Sequence, residues 1–262
     1  MRTIAIMNLK GGVGKTVTAL NLAAALSSAG KRVLLVDCDG QMSLTRFYFH
    51  DIDPDDQATV ADVLQGTSEV VWEDNVLPIV GSNIQLLPAS SGLYALDAVS
   101  IREGGIGLTT LRGFRDAVAE DGEVDYMIFD CPPGFTAASV SALMAAREVV
   151  IPMLVDGFSM WGVHDMAEQI NGIRSANPTI KIAGVLITQW HNCELVRQGE
   201  ILLRKLSLPV FKTVIRRTDK VPESTIDRRS IYDYSPRSAA SRDYQLWVQE
   251  YLGEEVNHHG EV

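Results

Sequence analysis

Cysteine is scarce in this 262-residue chain, and Cys38, Cys131 and Cys193 stand apart with no Cys-x-x-Cys pair. That spacing argues against a zinc or iron–sulfur centre, and an odd, sparse count fits a reducing compartment. Long apolar runs are also missing: no stretch approaches the ~18 residues of a membrane span. The apolar run near the N-terminus, Ile4-Ala5-Ile6-Met7, is too short for a secretory leader. These absences lead us to expect a soluble, cytoplasmic protein. There is no internal repeat and no Gly/Ser-rich linker, so we expect one domain over 1–252, followed by a polar tail over 253–262 that frays. Aromatics make up 7% and charged residues 21%, ordinary globular values.

An overall excess of positive charge is lacking too. The formal charge is −10, which excludes a surface that is basic all over. It is unevenly spread, since residues 197–242 hold 11 Lys/Arg against 5 Asp/Glu. A basic C-terminal third on an acidic body is either a polyanion-binding face or a solvated helix face.

What the chain does have is alternation. Short apolar runs at 3–8, 32–37, 84–87, 124–130, 148–152, 181–187 and 210–215 read as strands. The runs Val33–Val36 and Ile182–Ile187 are apolar almost throughout, as strands buried on both faces of a parallel sheet are. Amphipathic stretches at 15–29, 58–65, 92–102, 106–120, 137–146, 160–176, 194–206 and 237–252 read as helices. Gly30 is placed to stop the first helix, and Thr136 to cap the one over 137–146. The expected fold is α/β, a doubly wound, mostly parallel sheet.

Lys10-Gly11-Gly12-Val13-Gly14-Lys15-Thr16 follows the first strand and opens the first helix. Glycines let successive backbone N–H groups converge on phosphate oxygens, and the helix N-terminus adds its dipole. Lys15 can reach the β- and γ-phosphates, and Thr16 can hold Mg²⁺. Gly11, Gly12, Val13, Gly14, Lys15, Thr16 and Val17 are therefore the candidate nucleotide-binding residues. One departure is informative: Leu9 occupies the place of the first glycine of the general pattern, and a second lysine, Lys10, stands beside it.

Two later strands end in acid, at Asp37-Cys38-Asp39-Gly40-Gln41 and at Asp130-Cys131-Pro132-Pro133-Gly134. In open parallel sheets ligands sit beyond the carboxyl ends of the strands. An aspartate there either caps the next turn or, beside a phosphate loop, pairs with Mg²⁺. Taken together, Thr16, Asp37 and Asp130 are the candidate metal residues.

These motifs resemble the deviant Walker A sequence of the ParA/MinD group of P-loop ATPases. The resemblance extends over nearly the whole chain, through Leu86-Leu87-Pro88-Ala89, Val149-Val150-Ile151-Pro152, Thr213-Val214-Ile215-Arg216-Arg217 and Pro236-Arg237-Ser238-Ala239-Ala240. It implies ATP and Mg²⁺ as cofactors, Lys10 reaching the other subunit's phosphates in an ATP-bound homodimer, and Lys15 and Asp39 as further catalytic residues. By the same resemblance Asp39 positions the attacking water, Asp37 supports the metal, and Thr188, Gln189 and Arg217 flank the adenine. Two positions depart from the group. Gly40 replaces a proline of its Asp-x-Asp-Pro-Gln switch, from which we expect a looser loop, and Arg216 replaces the proline of Ile-Pro-Arg.

Within the group the chain looks like a ParA-type partition ATPase. Its polar, acidic tail does not resemble the membrane-binding helix of MinD-type proteins, and no helix-turn-helix segment precedes the phosphate loop. The resemblance implies nonspecific DNA binding in the ATP state, with Arg216, Arg217, Lys220, Arg228 and Arg229 as the DNA-contacting set. It also implies a ParB-like or adaptor partner that stimulates hydrolysis, no membrane binding, and nucleoid association. Two alternatives stay open: a nucleotide-switched scaffold that recruits a protein without DNA, and a metabolic P-loop ligase. The cluster Arg46-Phe47-Tyr48-Phe49-His50 reads as packing of a helix behind the switch. His164 and His191 have no ligand spacing.

Overall fold

The computed structural model describes residues 1–51, 53, 57–66, 72–103, 107–157 and 159–253. Residues 254–262 of the expected tail lie outside them. Seven strands form one sheet: β1 (Arg2–Ile6), β2 (Val33–Asp37), β3 (Leu77–Pro78), β4 (Ile84–Leu87), β5 (Tyr126–Asp130), β6 (Glu148–Met153) and β7 (Lys181–Ile187). Their order is β3-β4-β2-β5-β1-β6-β7, parallel throughout except for β3, which pairs antiparallel with β4. This is the doubly wound sheet expected of the alternation. The chain turns to β2 on one side of β1 and later to β6 on the other, which puts the loop after β1 at the centre of the carboxyl edge.

Alternation along β1 supplies both faces with apolar side chains. Ala5 and Met7 enter one core with Leu34, Val36, Phe129 and Val149, while Ile4 and Ile6 enter the other with Leu35, Ile128 and Leu186. The helices expected from the sequence form with shifted ends: α1 (Lys15–Ser28), α3 (Val60–Gln65), α4 (Gly92–Glu103), α5 (Thr110–Asp121), α6 (Ala137–Ala145), α7 (Ser159–Ile173), α8 (Glu194–Leu203) and α11 (Ala239–Leu252). Thr136 caps α6 by accepting the Ser139 N–H at 3.1 Å. α2 (Ser43–Tyr48) is the helix expected behind the switch, and two short helices among the described residues were not anticipated, α9 (Lys220–Ile226) and α10 (Ile231–Tyr234). Each is too short to repeat an apolar period. Phe47 and Tyr48 of α2, with Phe49 just after it, pack against the core that holds Ile4 and Leu44, as the packing reading of that cluster held.

The expected strand over 210–215 does not form. The segment runs beside β7 and bonds to it at Phe211 and Ile215. Between those points the N–H groups of Lys212 and Thr213 donate instead to the Glu250 carboxylate on α11, at 2.6 and 2.9 Å. A side chain on the C-terminal helix has replaced a ladder partner. The same helix closes the face over α1: Trp247 is fully buried, with Phe211 edge-on at 5.8 Å and Tyr251 stacked at 6.0 Å.

Arg216 explains how the chain does without proline at that position. Its backbone N–H donates to the Asp243 carboxylate at 2.9 Å, and its guanidinium grips the same carboxylate through Nε and Nη2. Proline could make neither contact. Asp243 is buried and ties the 215–217 turn to α11. Asp243→Ala strands those donors, and hydrogen bonds to charged groups are worth about 1.5–3 kcal/mol each, with partial recovery by water. We expect a loss of about 2–3 kcal/mol in denaturant unfolding. A change below about 0.5 kcal/mol would show that the clamp is replaceable.

Candidate nucleotide site

Gly12 and Gly14 lie in the left-handed region, at φ 73° and 86°, and Gly14 caps α1 through its own carbonyl. L-residues adopt that backbone reluctantly, so the two glycines are what let the loop curl into a cradle of N–H groups. The loop is braced from outside. Asn8 Nδ2 donates to the Pro152 carbonyl at 2.7 Å, and Asn8 Oδ1 accepts the Lys10 N–H at 3.0 Å. The Thr188 hydroxyl donates to the Val13 carbonyl at 2.8 Å, and the Gln189 side-chain amide to the Gly12 carbonyl at 2.9 Å. Asn8 escaped the sequence reading because nothing in its neighbours distinguishes it from an ordinary loop residue.

The loop opens into a cavity of about 580 Å³. Gly11, Gly12, Gly14, Lys15, Thr16 and Val17 line one end, with Asp39 and Pro133 facing them. Thr188, Gln189 and Arg217 line it as well, so the three residues carried over as adenine neighbours do face the same space. Thr188 and Gln189 spend their polar atoms on the loop. Tyr244, Val221 and Pro222 also contribute wall, and sequence reasoning had not marked them because they come from α11 and the unforeseen α9.

Lys15 and Lys10 point in different directions. Lys15 is 7% exposed, and its ammonium donates to the Lys10 carbonyl across the loop at 2.9 Å. Burial pulls its pKa down, with Asp130 opposing that as the nearest counter-charge. Lys10 does not line the cavity. Its ammonium is turned outward onto the Asp156 carboxylate beyond β6, and both side chains stay about a third exposed, at 39% and 35%.

The two strand-end aspartates are register partners, Asp37 beside Asp130 on neighbouring strands. Both are fully buried and both are pushed up by desolvation, Asp37 to about 6 and Asp130 well above the carboxylate range; the charge of Asp39 raises each further, and Asp37 also raises Asp130. Their partners differ. Asp37 accepts from the Thr45 N–H at 2.8 Å, the Thr45 hydroxyl at 2.7 Å and the Asp39 N–H at 3.1 Å. It anchors the start of α2 and the loop that carries Asp39. Neither Asp130 oxygen has a hydrogen bond of good geometry, although the Thr16 side chain is close enough to favour its charged form. A buried carboxylate without a partner beside a phosphate cradle is the donor a Mg²⁺ ion requires. Thr16 and Asp130 are oxygen donors of the kind such an ion takes, whereas Asp37 already has partners of its own.

The expectation of a loose loop at Gly40 is overturned. The Tyr94 ring of α4 lies against Gly40, where a Cβ would come within 2.9 Å of it, and Gln41 Nε2 contacts the Tyr94 hydroxyl. Gly40 permits a clamp that any side chain would displace. Met42, in the left-handed region at φ 59°, then turns the chain into α2.

The DNA-contacting set is divided. Arg216 is held by Asp243, Arg217 lines the cavity, Lys220 pairs with Glu223 at 2.6 Å, and Arg229 pairs with Asp227 at 3.4 Å. Among the described residues no helix is long and apolar enough to cross a membrane. His164, with Asp165 and Glu168, does form a group whose ligand atoms lie within 4.8 Å, but all three are exposed on α7 and nothing further marks the group.

A glycine cradle at the centre of a doubly wound parallel sheet, with lysine inside and paired acids opposite, defines a P-loop nucleoside triphosphatase. Comparison with known proteins narrows the class. Residues 1–182 match the family model described as AAA domain. The chain is 33% identical to the chromosome-partitioning ATPase Soj of Thermus thermophilus over 255 residues, covering 96% of each. It is 32% identical to a ParA family protein of Chlamydia trachomatis over 263 residues, covering 96% of this chain and 98% of that one. The chain belongs to the ParA family of partition-type ATPases. Among solved structures, cobyrinic acid a,c-diamide synthase from Mycobacterium smegmatis with bound ADP and magnesium is 29% identical at a TM-score of 0.78, covering 96% of this chain and 94% of that one.

Replacing Asp130 separates its cost from its use. The folded state binds a proton on this carboxyl more tightly than the unfolded state does. Stability therefore falls as pH rises from the ordinary carboxylate range toward the raised folded value. Asp130→Asn removes that slope, and without nucleotide it gains roughly 2 kcal/mol over the parent at the alkaline end, the scale of an unpartnered buried group. The same variant loses roughly 10–100-fold in magnesium-dependent nucleotide affinity, as altered metal shells do. Thermal unfolding across pH and nucleotide titration with and without Mg²⁺ measure both. Equal pH slopes in the two proteins would show that Asp130 is already paired.

Proposed function

We propose that this chain is a nucleotide-switched partition ATPase that dimerises around two ATP molecules, binds DNA without sequence preference in that state, and is released when a cargo-bound partner stimulates hydrolysis. The observation that carries the reading is the outward turn of Lys10. It sits on the phosphate loop, yet its ammonium lies outside its own cavity on a carboxylate that is about a third exposed. A cation so placed suits the γ-phosphate of a second subunit, which is present with ATP and absent with ADP.

ATP fits the cavity, with its phosphates on the N–H groups of Gly11 to Thr16. Thr16 and Asp130 would hold Mg²⁺, which supplies charge neutralisation across the phosphates when bound. Lys15 stands against the same charge. Asp39 lines the cavity at the far side of the cradle, where Asp37 and Thr45 fix its loop, and its carboxylate, steadied by the Gln41 N–H on Oδ1 at 2.9 Å, is placed to orient a water toward the γ-phosphate. Magnesium and ADP in the cobyrinic acid a,c-diamide synthase structure support a nucleotide and Mg²⁺ as the ligands of this cavity. A metabolic ligase would need a small-molecule acceptor, whereas the relatives matched along their full length include a chromosome-partitioning ATPase.

Two substitutions test the parts separately. Asp39→Ala is expected to keep ATP binding while slowing single-turnover hydrolysis by at least about 10²-fold, the usual scale for losing a positioned base. An unchanged rate would remove Asp39 from that role. Asp156→Asn removes the charge of the carboxylate that Lys10 meets within the chain. Because exposed pairs are worth about 0.2–1 kcal/mol, the ATP-dependent dimerisation constant should rise by up to roughly 5-fold per subunit, read by sedimentation with ATP and with ADP. Weaker dimerisation would assign the Lys10–Asp156 pair to holding the loop instead.

A further inference from the structure

A second concavity, of about 700 Å³, opens beside the nucleotide cavity and shares Thr16, Val17, Ser43 and Thr225 with it. Its walls come from α1, α2 and the end of α9. Arg46, His50 and Arg228 line it beside Phe47 and Ile226, and no Asp or Glu is among the described residues that form it. His50 contacts Asp51. The guanidinium groups of Arg46 and Arg228 have no hydrogen-bond or ion-pair partner among the described residues. That sets them apart from Arg216, Lys220 and Arg229, each of which is matched to a carboxylate nearby.

Arg228 is also held in an unusual backbone. Its φ of 53° lies in the left-handed region that non-glycine residues rarely enter. The turn is closed by the Arg228 and Arg229 N–H groups donating to the Thr225 and Ser224 carbonyls, at 3.4 and 3.0 Å. The turn places Arg228 on the groove, and Arg229 beside it on Asp227.

We propose that this groove, with Arg46 and Arg228 at its rim, takes the phosphodiester backbone of duplex DNA. The inference rests on the DNA-binding reading above and gives it a different location from the one charge density alone marks. Guanidinium groups match phosphate oxygens bidentately, and two of them without carboxylate partners on a concave wall without acids make an anion site rather than a surface ion-pair network. The groove is also joined to the nucleotide. Arg46 adjoins Thr45, which is bonded to Asp37, and α2 follows directly on the loop that carries Asp39. Thr16 and Ser43 face both spaces. Occupancy of the nucleotide cavity therefore sets the position of Arg46, so that DNA affinity and nucleotide state share one element.

The test uses the full chain with Mg²⁺ and a non-hydrolysable ATP analogue, titrated into fluorescent random-sequence duplex at about 50 and about 200 mM salt. Arg46→Ala with Arg228→Ala should weaken binding at least about tenfold and lower the slope of log affinity against log salt by about 2 per chain. Arg46→Lys with Arg228→Lys should restore the slope, which a misfolded variant could not do. Arg147→Ala removes an exposed charge at the opposite end of the sheet and should leave both values as in the parent. Parental binding by the double alanine variant would overturn the groove while leaving the DNA reading intact. Absence of DNA binding by the parent itself would overturn both. Arg46- and Arg228-dependent binding of an acidic polyglutamate peptide, with no DNA binding, would overturn the proposal in favour of a protein partner.

Discussion

Two aspartates side by side at the ends of neighbouring buried strands are the constraint around which the rest is arranged. Charge at Asp37 and Asp130 is costly in that position, and Asp37 adds to the cost at Asp130. The fold answers the two differently. Thr45 and the Asp39 N–H satisfy Asp37, and in doing so they fix the start of α2 and the loop before it. Asp130 is left with Lys15 at a distance and the Thr16 side chain nearby, so its charge is answered by a proton or by a cation brought to it. A site whose resting state is electrostatically incomplete is one that a nucleotide with its metal can complete, and binding energy is then available to move the elements tied to it.

Those elements radiate from the same point. The loop after β2 leads through Asp39 and the Tyr94 clamp at Gly40 into α2, and the loop after β5 leads through Pro132-Pro133-Gly134 to α6. The glycine loop, after β1 on the other side of β5, is braced by Asn8, Thr188 and Gln189. On the far side, α11 reaches back to organise the 212–217 segment through Glu250 and Asp243, which makes the C-terminal helix part of the cavity wall. The second groove lies where α1, α2 and α9 meet, against the metal end of the cavity. Lys10, turned outward onto Asp156, is the counterpart on the other side of the loop. The carboxyl edge of the sheet thus carries one internal site and two outward-facing cationic features attached to it.

Much of this was legible in the residues. The sheet and its parallel sense follow from apolar runs separated by amphipathic ones, and the phosphate cradle from glycines between a strand and a helix. The placement of the two strand-end acids follows from where those runs stop. Lost to the sequence reading were the features made by partners distant along the chain. Glu250 and Asp243 converted an apolar run into an irregular segment, and Tyr94 turned an expected loose loop into a clamped one. Helices of seven and four residues leave little room for an apolar period, which hid α9 and α10.

By itself the sequence determined the local chemistry: which residues can cradle phosphate, which strands are buried on both faces, and which helices have caps. Those depend on backbone freedom and on side-chain periodicity, and both are properties of neighbours in the chain. Only the tertiary structure decided which charges are spent and which remain available. Arg216, Lys220 and Arg229 form a basic run in the sequence but meet carboxylates in space, while Arg46 and Arg228, 182 positions apart in sequence, share one groove. Electrostatic pairing falls off with distance through space and takes no account of separation along the chain, so it can be assigned only once the elements are packed.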